Sequence, residues 1–165
     1  MSASQTRTIY LEMLSAPDLP ADDELSVRPL GTSAVAEYRE IYDIVGGPFR
    51  WTRRVKMSER ELGELLATSG VETWVLEVDG QSAGFAELDC RSDDAEIVYF
   101  GLAPAFIGQG LGKRFLRWVI RHVWSKDPRR LWLHTCDRDH PAALPNYQKA
   151  GFVVYDEEMI EVDDE

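Results

Sequence analysis

The spacing of apolar residues along the chain switches between a period of two and a period of nearly four, which predicts a mixed α/β protein. Alternating apolar and polar positions predict strands over residues 25–30, 72–78, 81–88, 95–102, 131–136 and 152–162, and a short extra strand over 7–14. Helical spacing predicts four helices, which end near residues 44, 68, 123 and 151. The expected fold class is therefore α/β, with about six to seven strands in one mixed sheet and four helices.

Capping residues precede two of these helices. Thr32 or Ser33 can cap the first, because a side-chain oxygen there can accept a hydrogen bond from a backbone N–H of the first turn. Ser58 followed by Glu61 is a capping box, in which each side chain bonds the other residue's backbone N–H. We expect the second helix to begin directly after Ser58.

Glycine and proline mark the turns and the end of the last helix. Asp79-Gly80, between two alternating runs, predicts a tight two-residue hairpin turn. Pro141 suits the first position of the last helix, whereas Pro145 lacks an N–H and is expected to kink or restart it. Gly151 is a suitable C-terminal cap for the same helix.

Residues 100–123 combine the end of a strand, three glycines and an amphipathic helix. The glycines are Gly108, Gly110 and Gly112, and the apolar positions of the helix that follows are spaced by four. A strand that turns through glycines into a helix start leaves backbone N–H groups pointing at one spot, where the helix dipole also favours an anion. This stretch is therefore the first candidate for a ligand site.

Charge strengthens this prediction. The whole chain carries a formal net charge of −11, yet residues 107–130 hold seven lysines and arginines against one aspartate. Lys113 and Arg114 fall in the first turn of the helix, where its dipole disfavours cations. Two interpretations stay open: a solvated helix face, or a surface that holds a ligand with several phosphates.

Two common phosphate-binding loops do not fit this stretch. A nucleotide P-loop ending at Gly112 would need a glycine at Ile107 and a hydroxyl at Arg114, and the dinucleotide G-x-G-x-x-G spacing also fails. The stretch instead resembles the acyl-CoA-binding motif of the GCN5-related N-acetyltransferases (the GNAT superfamily). Gly110 and Gly112 match that motif, while Ile107 replaces its leading arginine or glutamine.

A second stretch, residues 131–152, resembles the C-terminal motif of the same family. The matching residues are Tyr147, Lys149, Gly151 and Phe152. Asp139 occupies the position of a family asparagine that contacts the pantetheine arm, and Asn146 replaces a leucine. The two motifs cover about residues 95–152, and their order and spacing agree with the family.

The resemblance implies a GNAT fold and direct transfer of acetyl from acetyl-coenzyme A (acetyl-CoA) to a primary amine of a small molecule, in a ternary complex. It also implies that two adjacent strands splay apart, and that the coenzyme is held by Gly101, Leu102, Ala103, Ile107, Gly108, Gln109, Gly110, Leu111, Gly112, Lys113, Arg114, Asp139 and Asn146. Gly101 would ease a bulge there. The alternative function is a catalytically weak acyl-CoA sensor or interaction module.

Two side chains are the catalytic candidates that the resemblance implies. Tyr147 matches the family's tyrosine near the sulfur, a general acid or a stabiliser of the leaving thiolate, although it could instead be a packing aromatic. Glu96 matches the general base of the family's histone acetyltransferases, and strand alternation would put it on one face with Val98, Phe100 and Leu102. Apolar neighbours would raise the pKa of its carboxyl group. His134 and a water chain are the alternatives for the base.

The aromatic and basic segment after the first helix is the candidate for acceptor binding. In the family this segment often lines the acceptor pocket, so Trp51 and Arg53 are the expected substrate contacts. Phe49 and Trp51 could instead cover the core, and the arginines at 50, 53 and 54 could be surface charges. If the arginines line the pocket they favour a carboxylate-bearing acceptor, whereas the acidic chain as a whole favours a cation.

Composition sets the remaining expectations. We divide the 165 residues into an N-terminal extension (1–24, with residues 1–6 disordered), a single GNAT domain (25–162) and an acidic tail (163–165). The negative net charge argues against nucleic acid and membrane as partners. Two cysteines without metal-ligand neighbours, and no signal-peptide pattern, predict a cytoplasmic protein with no metal site. A monomer or homodimer is expected.

Overall fold

A seven-stranded sheet forms the centre of the protein in a computed structural model that describes residues 3–31 and 34–163. Its strands are β1 (Ala3–Met13), β2 (Ser26–Pro29), β3 (Val71–Val78), β4 (Gln81–Asp89), β5 (Asp94–Leu102), β6 (Arg130–Cys136) and β7 (Val153–Asp163). The helices are α1 (Val35–Gly46), α2 (Glu59–Leu66), α3 (Leu111–Trp124) and α4 (Ala143–Ala150), with short 3-10 turns at Gly47–Phe49 and Pro104–Phe106. The predicted fold class is confirmed.

The strand order β2-β3-β4-β5-β6-β1-β7 brings the two halves of the sheet together at β5 and β6. This pair is parallel, whereas the other neighbouring strands are antiparallel. It joins residues 94–96 to residues 130–132, and along the rest of β5 and β6 the described residues show no further pairing. A sheet that stops pairing in its middle leaves backbone hydrogen-bonding groups open at that point.

Helices cover the two faces of the sheet unequally. On one face, α3 buries the apolar stripe that its sequence predicts, with Phe115, Val119 and Val123 inaccessible to solvent. On the other face, α1 and α2 form a second core around Tyr38, Tyr42 and Phe85. The first helix cap predicted at residue 32 or 33 lies outside the described residues.

The first strand is an interior strand, paired with β6 on one side and β7 on the other. The expected disorder of residues 1–6 is wrong from Ala3 onward, because backbone pairing on both sides holds this segment. Sequence alternation does predict a strand here but does not show which neighbours it finds. Residues 164 and 165 of the acidic tail lie outside the described part of the chain.

Two local signals give the structures that they predict. Ser58 and Glu61 form the reciprocal capping box at the start of α2. Asp79 and Gly80 both have positive φ, at 51° and 77°, as a type I′ hairpin turn between β3 and β4 requires.

The expected kink at Pro145 is wrong. The helix α4 begins at Ala143, so Pro145 falls in its first turn, where an N–H would have no helical partner in any case. Pro141 precedes the helix instead of opening it. Gly151 caps the C-terminal end with φ 116°, as predicted.

Candidate active site

A cavity of about 920 Å³ opens where β5 and β6 separate. Its walls come from the end of β5, the end of β6, the glycine loop before α3, the start of α4 and the segment between α1 and α2 (residues 47–58). Two strands outside the splayed pair, β1 and β7, also contribute to the wall. The cavity therefore joins both sequence motifs to the predicted acceptor segment.

The glycine loop has the geometry of an anion site. Gly108 and Gly110 have φ of 90° and 78°, which side chains other than glycine rarely adopt, and a Cβ on either would point into open space. Gly110 is the N-terminal cap of α3, so no side chain satisfies the first N–H groups of this helix. The first turn holds no acidic residue. The donors of the helix start are thus left for a ligand.

The two cations at this helix start differ in their surroundings. Lys113 lines the cavity beside Ile107. Arg114 instead makes a bidentate ion pair with Asp22, with N–O distances of 2.6 and 2.9 Å, and the pair raises the pKa of Arg114 and lowers that of Asp22. Lys113 is therefore the better placed of the two for a phosphate.

The structure divides the predicted coenzyme-binding residues into two groups. Those whose atoms line the cavity are Gly101, Leu102, Ile107, Gly108, Gly110, Gly112, Lys113, Asp139 and Asn146. Outside the wall are Ala103, Gln109, Leu111 and Arg114. Leu111 packs into the core beneath α3, and the Gln109 side chain donates to the Ala105 carbonyl at 3.4 Å.

At the end of β5, the unpaired backbone N–H and C=O groups belong to Leu102 and not to Ala103. The Ala103 N–H donates to the Ala83 carbonyl at 2.8 Å, so it is already used within the sheet. In an antiparallel pair successive residues point their N–H and C=O groups to opposite sides. The groups of Leu102 and Phe100 therefore point away from β4, toward the side where β6 has separated.

A bulge at Val98 changes the faces of β5. Leu88 of β4 pairs with Ile97 and Glu87 pairs with Tyr99, so Val98 is the extra residue. The predicted common face of Glu96, Val98, Phe100 and Leu102 is wrong for this reason. Phe100 stacks on Phe115 of α3 at 5.2 Å, whereas Tyr99 contacts Tyr42 of α1 on the opposite face at 5.1 Å.

The predicted bulge at Gly101 is therefore three residues too late. Gly101 pairs regularly with Phe85. It is a glycine for another reason, since a Cβ there would lie 2.5 Å from Val45 Cγ1 of α1. The helix α1 can approach this strand so closely only because residue 101 has no side chain.

Tyr147 lies at the boundary between the core and the cavity. Its ring contacts Phe100 and Phe152, with centroid distances of 6.3 and 6.0 Å, and only 8 % of the residue is exposed. Burial, with a smaller contribution from Asp139, raises the pKa of its hydroxyl. The phenol thus stays protonated near neutral pH and is available as a proton donor.

Asp139 holds the end of β6 and the acceptor segment together. One carboxylate oxygen accepts from Thr135 Oγ1 at 2.7 Å and from the Cys136 N–H at 3.1 Å. The other accepts from Trp51 Nε1 at 3.3 Å. The aspartate that replaces the family asparagine is therefore engaged in fixing the shape of the cavity.

The two candidate bases differ in access. Glu96 is not part of the cavity wall, and burial, followed by the charge of Asp89, raises the pKa of its carboxyl group as predicted. His134 does line the cavity. Although His134 is exposed in the cavity, partial desolvation by the surrounding wall, followed by the positive charge of Arg53, lowers the pKa of its imidazole, which favours the neutral form. Access to the cavity therefore favours His134 over Glu96 as the base.

Trp51 both covers the core and lines the cavity. Its ring packs on Tyr99 and Tyr42 at centroid distances of 4.9 and 5.8 Å, covering the core beside α1. The same residue lines the cavity, as does the exposed Arg53.

Arg54, which was grouped with its neighbours as a surface or pocket charge, is buried instead. It makes a bidentate ion pair with Glu87 of β4 at 2.6 and 3.2 Å, and Tyr38 also donates to Glu87. The backbone of this segment is bound as well, because Arg39 donates to the carbonyls of Arg54 and Met57. Arg54 thus anchors the segment rather than contacting a ligand.

Sequence reasoning missed the contribution of the first strand to the cavity. Thr6 and Thr8 line it and are nearly inaccessible to solvent. Alternation places both on the face of β1 opposite the buried Ile9 and Leu11, which was a usable signal. Nothing in the sequence, however, indicates that β1 lies next to β6.

The described residues thus form an α/β protein whose mixed sheet opens into a cavity beside the uncapped start of α3. The acetyltransferase (GNAT) family model matches residues 38–152, which is more than half of the chain. The chain therefore belongs to the GNAT acetyltransferase family.

Relatives with curated names resemble this chain in part. A Bacillus subtilis (strain 168) protein with the provisional name ribosomal protein bS18-alanine N-acetyltransferase is 32 % identical over 104 residues, which are 62 % of this chain and 66 % of that protein. The mycothiol acetyltransferase of Corynebacterium efficiens is 31 % identical over 96 residues, 53 % of this chain and 32 % of that protein. The chain thus spans slightly less than two thirds of the first relative and about one third of the second.

Solved structures agree on the fold. A provisionally named GNAT-family acetyltransferase from Novosphingobium aromaticivorans superimposes with a TM-score of 0.68 at 19 % identity, covering 97 % of this chain and 65 % of that one. Among the described residues, no helix is both long and apolar enough to cross a membrane. In the same part of the chain no group of three potential metal ligands comes together.

Proposed function

We propose that the protein is an N-acetyltransferase that moves acetyl from acetyl-CoA directly to a primary amine of a small molecule. The observation that carries this proposal is the single cavity wall shared by the glycine loop, the open edge of β5, Tyr147 and the acceptor segment. A donor bound at the loop and an acceptor bound at the segment would meet within one space, as a ternary-complex reaction requires.

The residues at the start of α3 fit a diphosphate. The N–H groups of the first turn and the glycine loop have no side-chain cap, and the open space over Gly108 and Gly110 admits phosphate oxygens close to the backbone. Lys113 adds a positive charge on the same wall. Ile107 offers no polar contact, so the main chain would carry most of this binding.

The open edge of β5 would hold the arm of the coenzyme. The N–H and C=O groups of Leu102 and Phe100 point to the unpaired side, where an extended ligand can take the place of β6. The bound acetyl-CoA would supply the activated thioester. The Leu102 N–H is then the donor best placed to stabilise negative charge on the thioester oxygen.

Proton transfer completes the reaction. His134, or Glu96 through water, would take the proton of the acceptor ammonium, and the neutral Tyr147 would donate to the leaving sulfur. Trp51 and Arg53 would contact the acceptor. Both proton-transfer groups line the same cavity, Tyr147 on α4 and His134 on β6.

Thioester consumption across a panel of amines tests the activity, and calorimetry with coenzyme A tests binding separately. Replacing Tyr147 with Phe should lower kcat by about 100-fold or more, the usual contribution of a general acid, without weakening coenzyme binding. The variants His134→Gln and Glu96→Gln distinguish the two candidate bases. The pH profile of kcat/KM should lose its acid limb in the variant that lacks the true base. Coenzyme binding without turnover on any amine would favour the sensor function instead.

A further inference from the structure

The end of the cavity away from the glycine loop is cationic, in contrast to the chain as a whole. We call this region the acceptor end; it is lined by the segment of residues 47–58, by His134 and by β1. Arg50 and Arg53 of this segment line the cavity, and Lys56 and Arg138, which already have interaction partners, line it as well. Among the described residues, Asp139 is the one acidic side chain on the cavity wall, and its carboxylate is already bonded to Trp51 and to the end of β6.

The arginines stand on a segment that is held in place before any ligand binds. Arg50 has φ 59°, a left-handed conformation that ends the 3-10 turn, and its N–H donates to the Gly47 carbonyl at 3.0 Å. Four residues further along the segment, Arg54 is fixed by its buried ion pair with Glu87. A charged group on a fixed backbone loses less entropy on binding, so the segment is pre-organised.

The charge of Arg53 reaches into the cavity. This arginine is exposed and makes no ion pair or hydrogen bond with a described residue. Its positive charge nevertheless adds to the burial that lowers the pKa of His134, and at Glu96 it opposes the burial that raises the pKa. The Arg53 guanidinium therefore lies on the cavity wall without a described partner, where it can pair with an anionic ligand.

Thr6 adds an independent sign of a polar ligand. It lines the cavity and is 4 % exposed, yet its Oγ1 has no hydrogen-bond partner among the described residues. A buried hydroxyl without a partner costs stability, and such groups in native structures commonly serve a ligand or a water molecule. Rotation of the threonine side chain between staggered rotamers can turn this hydroxyl toward the cavity.

We propose that the natural acceptor carries a carboxylate next to its primary amine, and that Arg53, helped by Thr6, selects it. This inference rests on the proposed transferase function and names its substrate class. The planar guanidinium matches a carboxylate in a bidentate contact, which a lysine cannot reproduce. The cationic wall also disfavours the protonated amine, so the same charges that hold the carboxylate assist loss of the ammonium proton.

Matched pairs of acids and amides test this selectivity. L-Tyrosine with L-tyrosinamide, and L-leucine with L-leucinamide, differ by the carboxylate alone, and each is titrated calorimetrically into the protein saturated with coenzyme A, then assayed for acetylation. We expect the acid of at least one pair to bind about 10-fold or more tightly than its amide, the usual effect of a charge-assisted hydrogen bond. The amine of an amide is the less basic one, so chemistry alone would favour the amide.

Two variants, each with a matched control, assign the selectivity. Arg53→Gln should remove most of the preference for the acid, whereas Arg60→Gln, on the exposed face of α2 and outside the cavity wall, should keep it. Thr6→Val should weaken binding of the acid and not of the amide. Thr73→Val removes another buried hydroxyl without a described partner, away from the cavity, and should leave binding unchanged.

Each outcome bears on a distinct claim. If no acid binds better than its amide, or if Arg53→Gln keeps the full preference, the inference is overturned, while acetylation of amides would leave the transferase function standing. If acids bind selectively through Arg53 but no product forms, the selectivity for a carboxylate ligand stands, and the transferase function is what fails.

Discussion

Replacing Arg54 with Met tests whether a buried ion pair holds the acceptor segment onto the sheet. Arg54 and Glu87 are 8 % and 2 % exposed, and their bidentate contact joins residues 47–58 to β4. The variant leaves the Glu87 carboxylate buried, with Tyr38 as its remaining hydrogen-bond donor in the described part of the chain. Methionine fills similar space, so the loss of charge pairing dominates over the loss of packing.

Removing one partner of a buried pair costs about 3–5 kcal/mol, because the other charge stays out of water. The retained Tyr38 hydroxyl offsets part of this cost, so we expect a loss of about 3 kcal/mol in the free energy of unfolding. For a chain of this size that corresponds to a fall of about 6–12 °C in Tm. Adding Glu87→Gln should recover part of the loss, because the unpaired charge is then removed.

Urea denaturation at pH 7 measures the change in stability, and a double-mutant cycle isolates the pair. Arg60→Met is the matched control, since Arg60 pairs with Glu64 in full solvent and should change stability by about 0.5 kcal/mol or less. The reasoning is refuted if Arg54→Met costs no more than this control. In the variant molecules that remain folded, KM for the acceptor should rise while coenzyme affinity stays the same, because we propose that this segment binds the acceptor and not the coenzyme.

Further predictions concern the coenzyme site, the base and the packing of β5. If His134 is the base, kcat/KM should be lost as pH falls through its pKa, which burial sets below the usual 6.5, and should be retained above that value. Lys113→Ala should weaken coenzyme A binding by about 5-fold or more in calorimetry, and Arg114→Ala by less, because Arg114 is already paired. Gly101→Ala should destabilise the protein by about 1–3 kcal/mol in urea, and Val45→Ala in the same chain should recover part of this by removing the contact at 2.5 Å.

Each of these three predictions has a result that would contradict it. A flat kcat/KM between pH 7 and the acid limit of folding would remove His134 as the base. Equal losses for the two α3 cations would show that Arg114 leaves its ion pair to bind phosphate. A Gly101→Ala variant with unchanged stability would mean that α1 moves away from β5 without cost.

Local chemistry was predictable wherever neighbours in sequence are also neighbours in space. The capping box at Ser58 and the positive φ of Asp79-Gly80 involve partners within three residues, and the structure confirms both. The apolar stripe of α3 and the glycines before it likewise predict a helix start that is open to an anion. At Pro145 the local reasoning failed by a small shift of the helix boundary, which turned an expected kink into a tolerated first-turn position.

Pairing between distant segments was not predictable from these patterns. The bulge at Val98 moves Glu96 off the face of Phe100, and a period of two cannot reveal an inserted residue. Arg54 looks like its exposed neighbours in sequence, yet Glu87, on a strand 33 residues away, decides that it is buried. The same holds for Thr6, whose role depends on β1 lying beside β6.

The sequence by itself determined the class of fold, the helix start that suits a diphosphate and the family resemblance, because these depend on periodicity and on short-range backbone geometry. Only the tertiary structure decided which cations face the cavity, where β5 bulges and which strand completes the acceptor end. Those features arise from contacts between residues far apart in the chain, whose free energies depend on burial and on partners that no local pattern contains.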